Sequence, residues 1–371
     1  MKYRLHYFVT FHLLIAILSC HGMNSSLRHI ITTKHLTNPI HSHHAQELTV
    51  NTIYRSFKVT EPVLIDLFNS PVMERIKYVR QYGAEDYVIK QKKEYTRYEH
   101  CVGVWALLRM YGADLEEQIA GLLHDTSHTV FSHVGDLLFK HESALCSYQD
   151  DIHEWYLKEQ KIDLLLSHHG ISLTNILHSN NKHSMLEQDL PNICADRLEY
   201  NLQAGILTNL LTTDDIMGIL EDLRYDNGHW FFVSKESAKK LALVSLFNTE
   251  HVWGSPAAHF ITQWTAQALE RALNIGLLTH NDIHFSTDPV VWDKLWISND
   301  PFIIKCLEKI VNYKTVIIMN AHKKEPIKVK FRGLDPLIQE DNQLKQLTSI
   351  DDEYHQEYNR VKTYITHKSK L

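Results

Sequence analysis

The sequence has few cysteines and no CxxC pair. The five cysteines, an odd number, are Cys20, Cys101, Cys146, Cys194 and Cys306. A disulfide framework needs an even set of cysteines, and a thiolate zinc site needs closely spaced pairs, so this pattern argues against both. We therefore expect buried free thiols.

The chain also lacks an excess of positive charge. Its 38 Lys and Arg residues stand against 44 Asp and Glu residues, a formal net charge of −6, so no overall basic balance indicates a nucleic-acid partner. With 44% hydrophobic and 22% charged residues, the composition is that of an ordinary globular protein with ample material for a core. The 26 histidines are the outlier, although many stand in polar stretches such as 41–44.

Long apolar runs are missing beyond the N-terminus. The run over residues 7–20 is too short to span a bilayer comfortably. Lys2 and Arg4 precede it, as the charged region of a secretory signal would, whereas the alternative is a mis-set start with Met23 as the true beginning. Export follows from the first reading and a cytoplasmic location from the second, and both stay open.

Helical periodicity dominates from about residue 60, with prolines at helix starts and glycines at helix stops. Near the C-terminus, Val316–Met319 is a β-type run, and residues 327–332 alternate apolar and basic side chains, so the two are predicted to pair as an antiparallel ribbon. The expected parts are a signal peptide or mis-set start over 1–22, a polar linker over 23–55, a helical domain over 56–285, and a C-terminal region of helices and short strands over 286–371.

Four ligand-type residues stand inside apolar helical patterns. They are His100 in RYEHCVGV, His124 and Asp125 in AGLLHDTSH, and Asp196 in ICADRLEYNL. A carboxylate in such a place is costly unless it is paired or bound to a metal. Two imidazoles with two carboxylates form a mixed nitrogen and oxygen shell, which suits one divalent ion such as Mn, Fe, Zn or Ni and admits Mg. A His-Asp dipeptide alone arises easily by chance in a histidine-rich chain. The surrounding motifs therefore decide whether this one is functional.

Those motifs resemble the HD superfamily of metal-dependent phosphohydrolases, and specifically its branch of deoxynucleoside triphosphate triphosphohydrolases. The matching segments occur in family order: SPVMERIKYVRQYG, TRYEHCVGV, AGLLHDTSHTVFSHVGD, IHEWY and ADRLEYNL. The resemblance implies a mostly α fold, an HD-type helical bundle with a small α+β C-terminal appendage. It also implies an enzyme that hydrolyses a small-molecule phosphate ester, with a nucleotide as the expected substrate.

The resemblance further implies a role for each matching position. The metal ligands would be His100, His124, Asp125 and Asp196. The catalytic residues would be His128, His153, Asp136 and Glu154, and the substrate-binding residues Arg97, His133, Gln81 and Tyr200. For Gln81 and Tyr200, ordinary packing is an equal alternative. In the implied reaction a metal-activated water attacks phosphorus, and His128 or His153, with a pKa near neutral, donates a proton to the leaving oxygen.

The chain also departs from that branch. Ser127, Thr129 and Val130 stand where the family has glycine and Gly-Pro, and Ala204 stands where the triphosphohydrolases have an acid that contacts the sugar. The later nucleotide-binding segment has only EHVWGSP as a candidate. The resemblance therefore supports the metal centre more strongly than it supports selectivity for deoxynucleotides.

Two other functions stay open at this point. One is a non-catalytic HD module that binds a nucleotide as a sensor, and the other is a helical scaffold with incidental histidines. Neither a nucleic-acid partner nor a membrane partner is indicated by the sequence, and a homo-oligomer is left open.

Overall fold

The computed structural model describes residues 47–89, 94–140, 147–177, 182–320 and 330–368, and residues 45–371 form one compact unit. The helices are α1 Pro62–Phe68, α2 Pro71–Ile76, α3 Arg97–Met110, α4 Leu115–Leu123, α5 Val134–Leu138, α6 Tyr148–Glu159, α7 Ile162–His168, α8 Leu173–Ile176, α9 Ala195–Leu207, α10 Thr213–Asp222, α11 Lys235–Asn248, α12 Pro256–Asn274, α13 His280–Phe285, α14 Asp288–Ile297, α15 Pro301–Val311, α16 Tyr313–Asn320, α17 Leu347–Ile350 and α18 Asp352–Lys368. A 3-10 helix spans Gly83–Tyr87 and a π-helix spans Thr249–Trp253. The strands are β1 Leu48–Asn51, β2 Ser56–Val59, β3 Leu223–Asp226, β4 His229–Phe232, β5 Leu337–Glu340 and β6 Gln343–Gln346.

Helix α3 lies at the centre of the larger hydrophobic core. Its first turn is fixed by a capping box, in which the Thr96 amide donates to Glu99 (2.9 Å) and the Glu99 amide donates to the Thr96 hydroxyl (3.4 Å). Trp105 is fully buried, and the rings of Phe57 and Phe68 meet it edge-on at 5.3 and 5.0 Å. Because α3 packs against α4 and α9, a side chain at its N-terminal end faces both of these helices.

Helix α4 begins where the sequence predicts. The Asp114 carboxylate accepts the Glu117 amide at 2.8 Å, which caps the helix. Glu117 stands three residues after Asp114, a spacing that predicts a capping box, but its carboxylate instead accepts the amides of Met185 and Leu186 at 2.7 and 3.0 Å. This buried carboxylate thus ties the loop before α9 to the first turn of α4.

The strands form two small sheets. β1 and β2 pair antiparallel, and β1 lies inside the stretch that the sequence assigned to a polar linker. The second sheet has the order β3-β4-β5-β6, with a parallel pairing of β4 and β5. The C-terminal region therefore adds a hairpin to β3 and β4. That hairpin turns at Asp341 and Asn342, both with positive φ, as a two-residue hairpin turn requires.

The predicted ribbon near the C-terminus is wrong in its first strand. Val316–Met319 belongs to α16, where Val316 and Ile317 pack against the second hydrophobic cluster built around α12 and α15. This tertiary contact outweighs the β propensity of a short β-branched run. Residues 327–329 of the second predicted strand lie outside the described residues. The predicted class, mostly α with a small α+β C-terminal appendage, is confirmed.

Two expectations about the whole chain can be compared with the structure. Cys101, Cys194 and Cys306 are buried free thiols, as expected, whereas Cys20 and Cys146 lie outside the described residues. In the part of the chain that the structure describes, none of the helices combines the length and apolarity needed to cross a membrane.

Candidate metal centre

Four side chains predicted as metal ligands converge on one point. The His100 Nε2 atom lies 3.1 Å from His124 Nε2 and 2.9 Å from an oxygen of Asp196. An oxygen of Asp125 lies 3.4 Å from His100 Nε2, and another lies 3.6 Å from His124 Nε2. Ligand atoms this close to one another can reach a single ion at bond lengths of about 2.0–2.2 Å. One ligand atom each of His100, His124 and Asp196 lies within 4.8 Å of the others, so these three could hold a metal ion, and Asp125 borders them.

Three helices supply these side chains from their ends. His100 lies in the first turn of α3, His124 is the C-cap residue of α4, and Asp196 lies in the first turn of α9. Helix ends place side chains beside backbone groups that are not yet paired, and they bring the chain into the core without breaking a helix. The site thus lies where the ends of α3, α4 and α9 meet.

The two imidazoles are oriented by hydrogen bonds on their other ring nitrogens. His100 Nδ1 lies 2.6 Å from the Glu199 carboxylate, and His124 Nδ1 lies 2.8 Å from the Gly121 carbonyl. Because Nδ1 of each imidazole is directed at an acceptor, Nε2 is the ring nitrogen that faces the site. The two Nε2 atoms lie 3.1 Å apart, so both could contact one ion. The donor set therefore fits a divalent metal ion.

The carboxylates carry negative charge in this buried place. Burial alone would raise the pKa of Asp125, but the Arg97 guanidinium, which pairs with it, and the neighbouring histidines hold that pKa well below its usual range. Burial also opposes ionisation of Asp196, and hydrogen bonds from His100 and His124 again lower its pKa. Both groups are thus anionic at neutral pH, as metal ligands must be.

Arg97 and His128 border the ligand set on one side. Arg97 Nε donates to the Ser132 hydroxyl at 3.0 Å and Nη1 pairs with Asp125, while Nη2 is buried with no hydrogen-bond partner. His128 Nε2 lies 3.4 Å from an Asp125 oxygen. Burial and the positive charge of Arg97 lower the pKa of His128 to about 3, so His128 is neutral at pH 7. The sequence-based expectation of a pKa near neutral for His128 is therefore wrong.

The accessory histidines and acids have other partners. His133 is half-exposed, its ring lies 5.0 Å from that of His128, and its Nδ1 lies 3.0 Å from Asp136. Asp136, which the sequence predicts as a catalytic residue, thus contacts His133. Burial would raise the pKa of Asp136, yet the hydrogen bond from His133 lowers it to about 2. His153 Nδ1 lies 2.8 Å from the Ser127 hydroxyl, whereas the Glu154 carboxylate pairs with Lys158 at 2.5 Å, so His153 and Glu154 have different partners.

Gln81 and Tyr200 are the remaining two positions predicted to bind the substrate. The Tyr200 ring meets that of Trp253, in the EHVWGSP segment, edge-on at 5.2 Å. The Oε1 atom of Gln81 is buried without a hydrogen-bond partner. Ala204 is fully buried in α9, so the acid of the triphosphohydrolase branch has no counterpart at that position.

Sequence reasoning missed residues that hold this centre in place. Arg75 lies in the SPVMERIKYVRQYG motif but was assigned no role from the sequence. Its buried guanidinium donates to the carbonyls of Thr126, His128 and Ser286 at 3.2, 2.8 and 2.9 Å. Asp288 accepts the amide of Phe131 at 2.7 Å and that of Arg80 at 2.8 Å. These contacts fix the loop after Asp125, in which Phe131 and Ser132 both have positive φ.

This helical bundle, with two imidazoles and two carboxylates beside a buried arginine, defines a metal-dependent hydrolase. Comparison with known proteins agrees: the model of the HD domain matches residues 97–200. The uncharacterized protein YdhJ of Bacillus subtilis is 31% identical over 276 residues, which is 74% of this chain and 84% of YdhJ. The metal-dependent phosphohydrolase cns2 of Cordyceps militaris is 28% identical over 70% of this chain and 75% of its own length.

Two further similarities are a short match in sequence and a shared fold. The deoxynucleoside triphosphate triphosphohydrolase SAMHD1 of Xenopus laevis is 31% identical, but only over 24% of this chain and 18% of its own length. The crystal structure of a phosphohydrolase from Bacteroides thetaiotaomicron has a TM-score of 0.61 over 82% of this chain and 95% of that one, at 13% identity, which shows a shared fold. The chain belongs to the HD-domain family of metal-dependent phosphohydrolases, as its motifs predict, and it is a hydrolase that acts on phosphate esters.

Proposed function

We propose that this hydrolase acts on a nucleotide, with a nucleoside triphosphate as the substrate that its site suits best. The observation that carries the proposal is the convergence of His100, His124, Asp125 and Asp196 beside the buried, partly unpaired guanidinium of Arg97. Such an arrangement joins a place for a divalent cation to a fixed donor for a phosphate oxygen. The local similarity to SAMHD1 supports a nucleotide as the source of that phosphate.

The metal would be held by His100, His124, Asp125 and Asp196. A divalent ion bound there supplies Lewis acidity toward a phosphate oxygen and toward the attacking water. The mixed nitrogen and oxygen donors suit Mn, Fe, Zn or Ni, and they admit Mg. Hydrogen bonds at Nδ1 fix both imidazoles, so His100 and His124 would need little rearrangement to bind the ion.

Arg97 and His128 bind and orient the phosphate. The Nη1 and Nε groups of Arg97 are already used by Asp125 and Ser132, so its planar fork is held rigidly and its buried Nη2 is left for a phosphate oxygen. His128 is neutral, and the hydrogen bond to Asp125 fixes its ring. Their rigidity lowers the entropic cost of orienting the substrate.

His133 is the residue best placed to move a proton to the leaving oxygen. It is half-exposed at the edge of the site, beside His128, with Asp136 behind its Nδ1 atom. The Tyr148 amide donates to the other oxygen of Asp136 at 2.7 Å, so the acid itself is held in place. A histidine oriented by a carboxylate in this way presents Nε2 to the substrate and stabilises the charged imidazolium.

We expect His133→Gln to lower kcat by about 100-fold or more, because general acid catalysis contributes about 10²–10⁴-fold. Asp136→Asn should lower kcat by a smaller factor, since it disturbs only the orientation of His133. Steady-state kinetics at saturating substrate measure both effects. His168→Gln is the matched control, an exposed histidine remote from the ligand set in sequence. A His133→Gln enzyme with the kcat of the wild type would remove His133 from the reaction.

The sugar of the nucleotide is expected to be recognised weakly. Tyr200 and Trp253 offer aromatic surface to a base, and Gln81 has an unused acceptor atom. At Ala204, however, the chain has a buried methyl group where the triphosphohydrolase branch has an acid. We therefore expect kcat/KM for a deoxynucleoside triphosphate and for its ribonucleotide to differ by less than about tenfold, because a lost polar contact of this kind removes discrimination.

The deciding experiment is a substrate and metal screen. Untagged protein is stripped with a chelator, supplied with Mn²⁺, Fe²⁺, Zn²⁺, Ni²⁺ or Mg²⁺, and assayed with nucleoside mono-, di- and triphosphates in ribose and deoxyribose forms. Identification of the products distinguishes release of triphosphate from release of single phosphate groups. We expect turnover of triphosphates that disappears on chelation and returns with at least one of these ions.

Two outcomes would contradict this proposal. Hydrolysis of non-nucleotide phosphate esters, with no turnover of any nucleotide, would keep the enzyme class and overturn the substrate. Tight nucleotide binding without hydrolysis under every metal would favour the alternative of a nucleotide sensor.

A further inference from the structure

We propose that Glu199 is a positioning residue of the metal centre, whose buried carboxylate holds His100 and completes the negative charge that a divalent ion neutralises. This inference rests on the proposed metal site. Glu199 lies on α9, one helical turn beyond Asp196, and its side chain is completely buried. A carboxylate is rarely found in such a place without a specific role for its charge.

Glu199 contacts the Nδ1 edge of the His100 ring. One oxygen of Glu199 lies 2.6 Å from His100 Nδ1 and also accepts the Tyr95 hydroxyl at 2.5 Å. His100 and Tyr95 are therefore both held by the same oxygen. A carboxylate behind a ligating imidazole fixes the tautomer and the ring orientation, and it makes the outward nitrogen a stronger donor.

The two histidines of the centre differ in this respect. His124 Nδ1 lies against the neutral carbonyl of Gly121, whereas His100 Nδ1 lies against a charged group. The His100 ring is also the more buried of the two, with 1% of its side chain exposed compared with 17% for His124. We infer that His100 is the stronger and more rigid ligand.

The backbone of α3 makes room for this carboxylate. A Cβ atom at Gly103 would lie 2.3 Å from the second oxygen of Glu199 and 2.7 Å from its Cγ atom. Gly103 therefore permits α3 and α9 to approach closely enough for Glu199 to reach His100. Glycine destabilises the middle of a helix relative to alanine, so its presence here fits the need for this close approach.

The charges around the site support the same role. Asp125, Asp196 and Glu199 contribute three negative charges, and Arg97 contributes one positive charge. With both imidazoles neutral, as ligands of a metal ion, these four groups sum to a charge of −2, which a divalent cation neutralises. Without Glu199 the buried cluster would carry only one net negative charge, and the attraction for a doubly charged ion in this low-dielectric place would fall.

The test measures Mn²⁺ affinity of the full-length chain by titration calorimetry, with Co²⁺ as a second probe that reports the ligand field through its visible spectrum. We expect Glu199→Gln to weaken Mn²⁺ binding by about 10–100-fold and to change the Co²⁺ spectrum, because loss of such a partner typically has this effect. Tyr95→Phe should weaken binding in the same direction by a smaller factor.

Tyr54→Phe is the matched control. Tyr54 is a buried tyrosine whose hydroxyl has no hydrogen-bond partner, and the charge of Glu199 raises its pKa in addition to burial. It thus lies close to the same carboxylate without supporting it. We expect Tyr54→Phe to bind Mn²⁺ with the affinity of the wild type.

Thermal unfolding with and without Mn²⁺ separates positioning from simple stability. A variant that merely damages packing loses the same stability in both states, whereas weaker metal binding reduces the extra stability that Mn²⁺ confers. Unchanged Mn²⁺ affinity in Glu199→Gln and Tyr95→Phe would overturn the inference, whatever their melting temperatures. If Glu199→Gln does not fold, the affinity of Tyr95→Phe decides. Wild-type protein that binds no divalent ion would refute the metal site itself.

Discussion

Asp125→Ala is expected to reduce phosphate release by about 1000-fold or more while the chain stays folded. Asp125 has three tasks in the structure. It offers one oxygen toward each of the imidazoles His100 and His124, it pairs with the buried Arg97, and it accepts from His128. Its removal takes away a candidate metal ligand and also leaves the buried Arg97 guanidinium without its partner.

The measurement is the rate of phosphate or triphosphate release under the metal that supports the fastest wild-type turnover, with circular dichroism as the check on folding. Asp125→Asn keeps the shape and an acceptor for Arg97, so it tests the charge alone and should also be nearly inactive. The control is Asp189→Ala, an exposed aspartate in the loop before Asp196, which should have wild-type activity. Activity within tenfold of wild type in Asp125→Ala would refute the proposed ligand set.

Arg75→Met is expected to lower the free energy of unfolding by about 3–5 kcal/mol. The Arg75 side chain has 9% exposure, and its guanidinium donates to the carbonyls of Thr126, His128 and Ser286. Methionine has a similar length but no donor, so these buried acceptors would lose their partner. We also expect kcat to fall, since the loop that carries His128 and Ser132 would no longer be fixed.

Denaturant unfolding measures this loss, and a melting temperature about 5–10 °C lower should accompany it. Arg224→Met is the matched control, because Arg224 also donates to two carbonyls, those of Glu221 and Leu223, but is exposed. Its effect should stay within about 0.5 kcal/mol. Equal losses in the two variants would contradict the role given to Arg75.

The sequence predicted the helical architecture and the family well, because both depend on patterns within single segments. The Asp114 cap of α4 and the His-Asp dipeptide are local, and local rules describe them. Val316–Met319 shows where such rules fail: the run has β-type residues, but its helix packs against the second hydrophobic cluster. The pKa of His128 could not be predicted either, since it depends on burial and on the charge of Arg97.

The supporting residues of the centre were also beyond local reasoning. Glu199 is one of two acids in α9, and Arg75 is one of several arginines before the first ligand. Their contacts arise only because α9 lies against α3 and because the loop after Asp125 returns to α2. Glu117 likewise contacts Met185 and Leu186, which are distant in sequence.

The amino-acid sequence by itself determined the helices, their caps, the family and the chemical types of the candidate ligands, since these are encoded within a few turns of chain. Only the tertiary structure decided that His100 and Asp196 meet the His124-Asp125 pair, and that a carboxylate stands behind His100. The physical reason is that backbone preferences act over neighbouring residues, whereas the meeting of distant helix ends follows from burying the apolar faces of α3, α4 and α9 against one another.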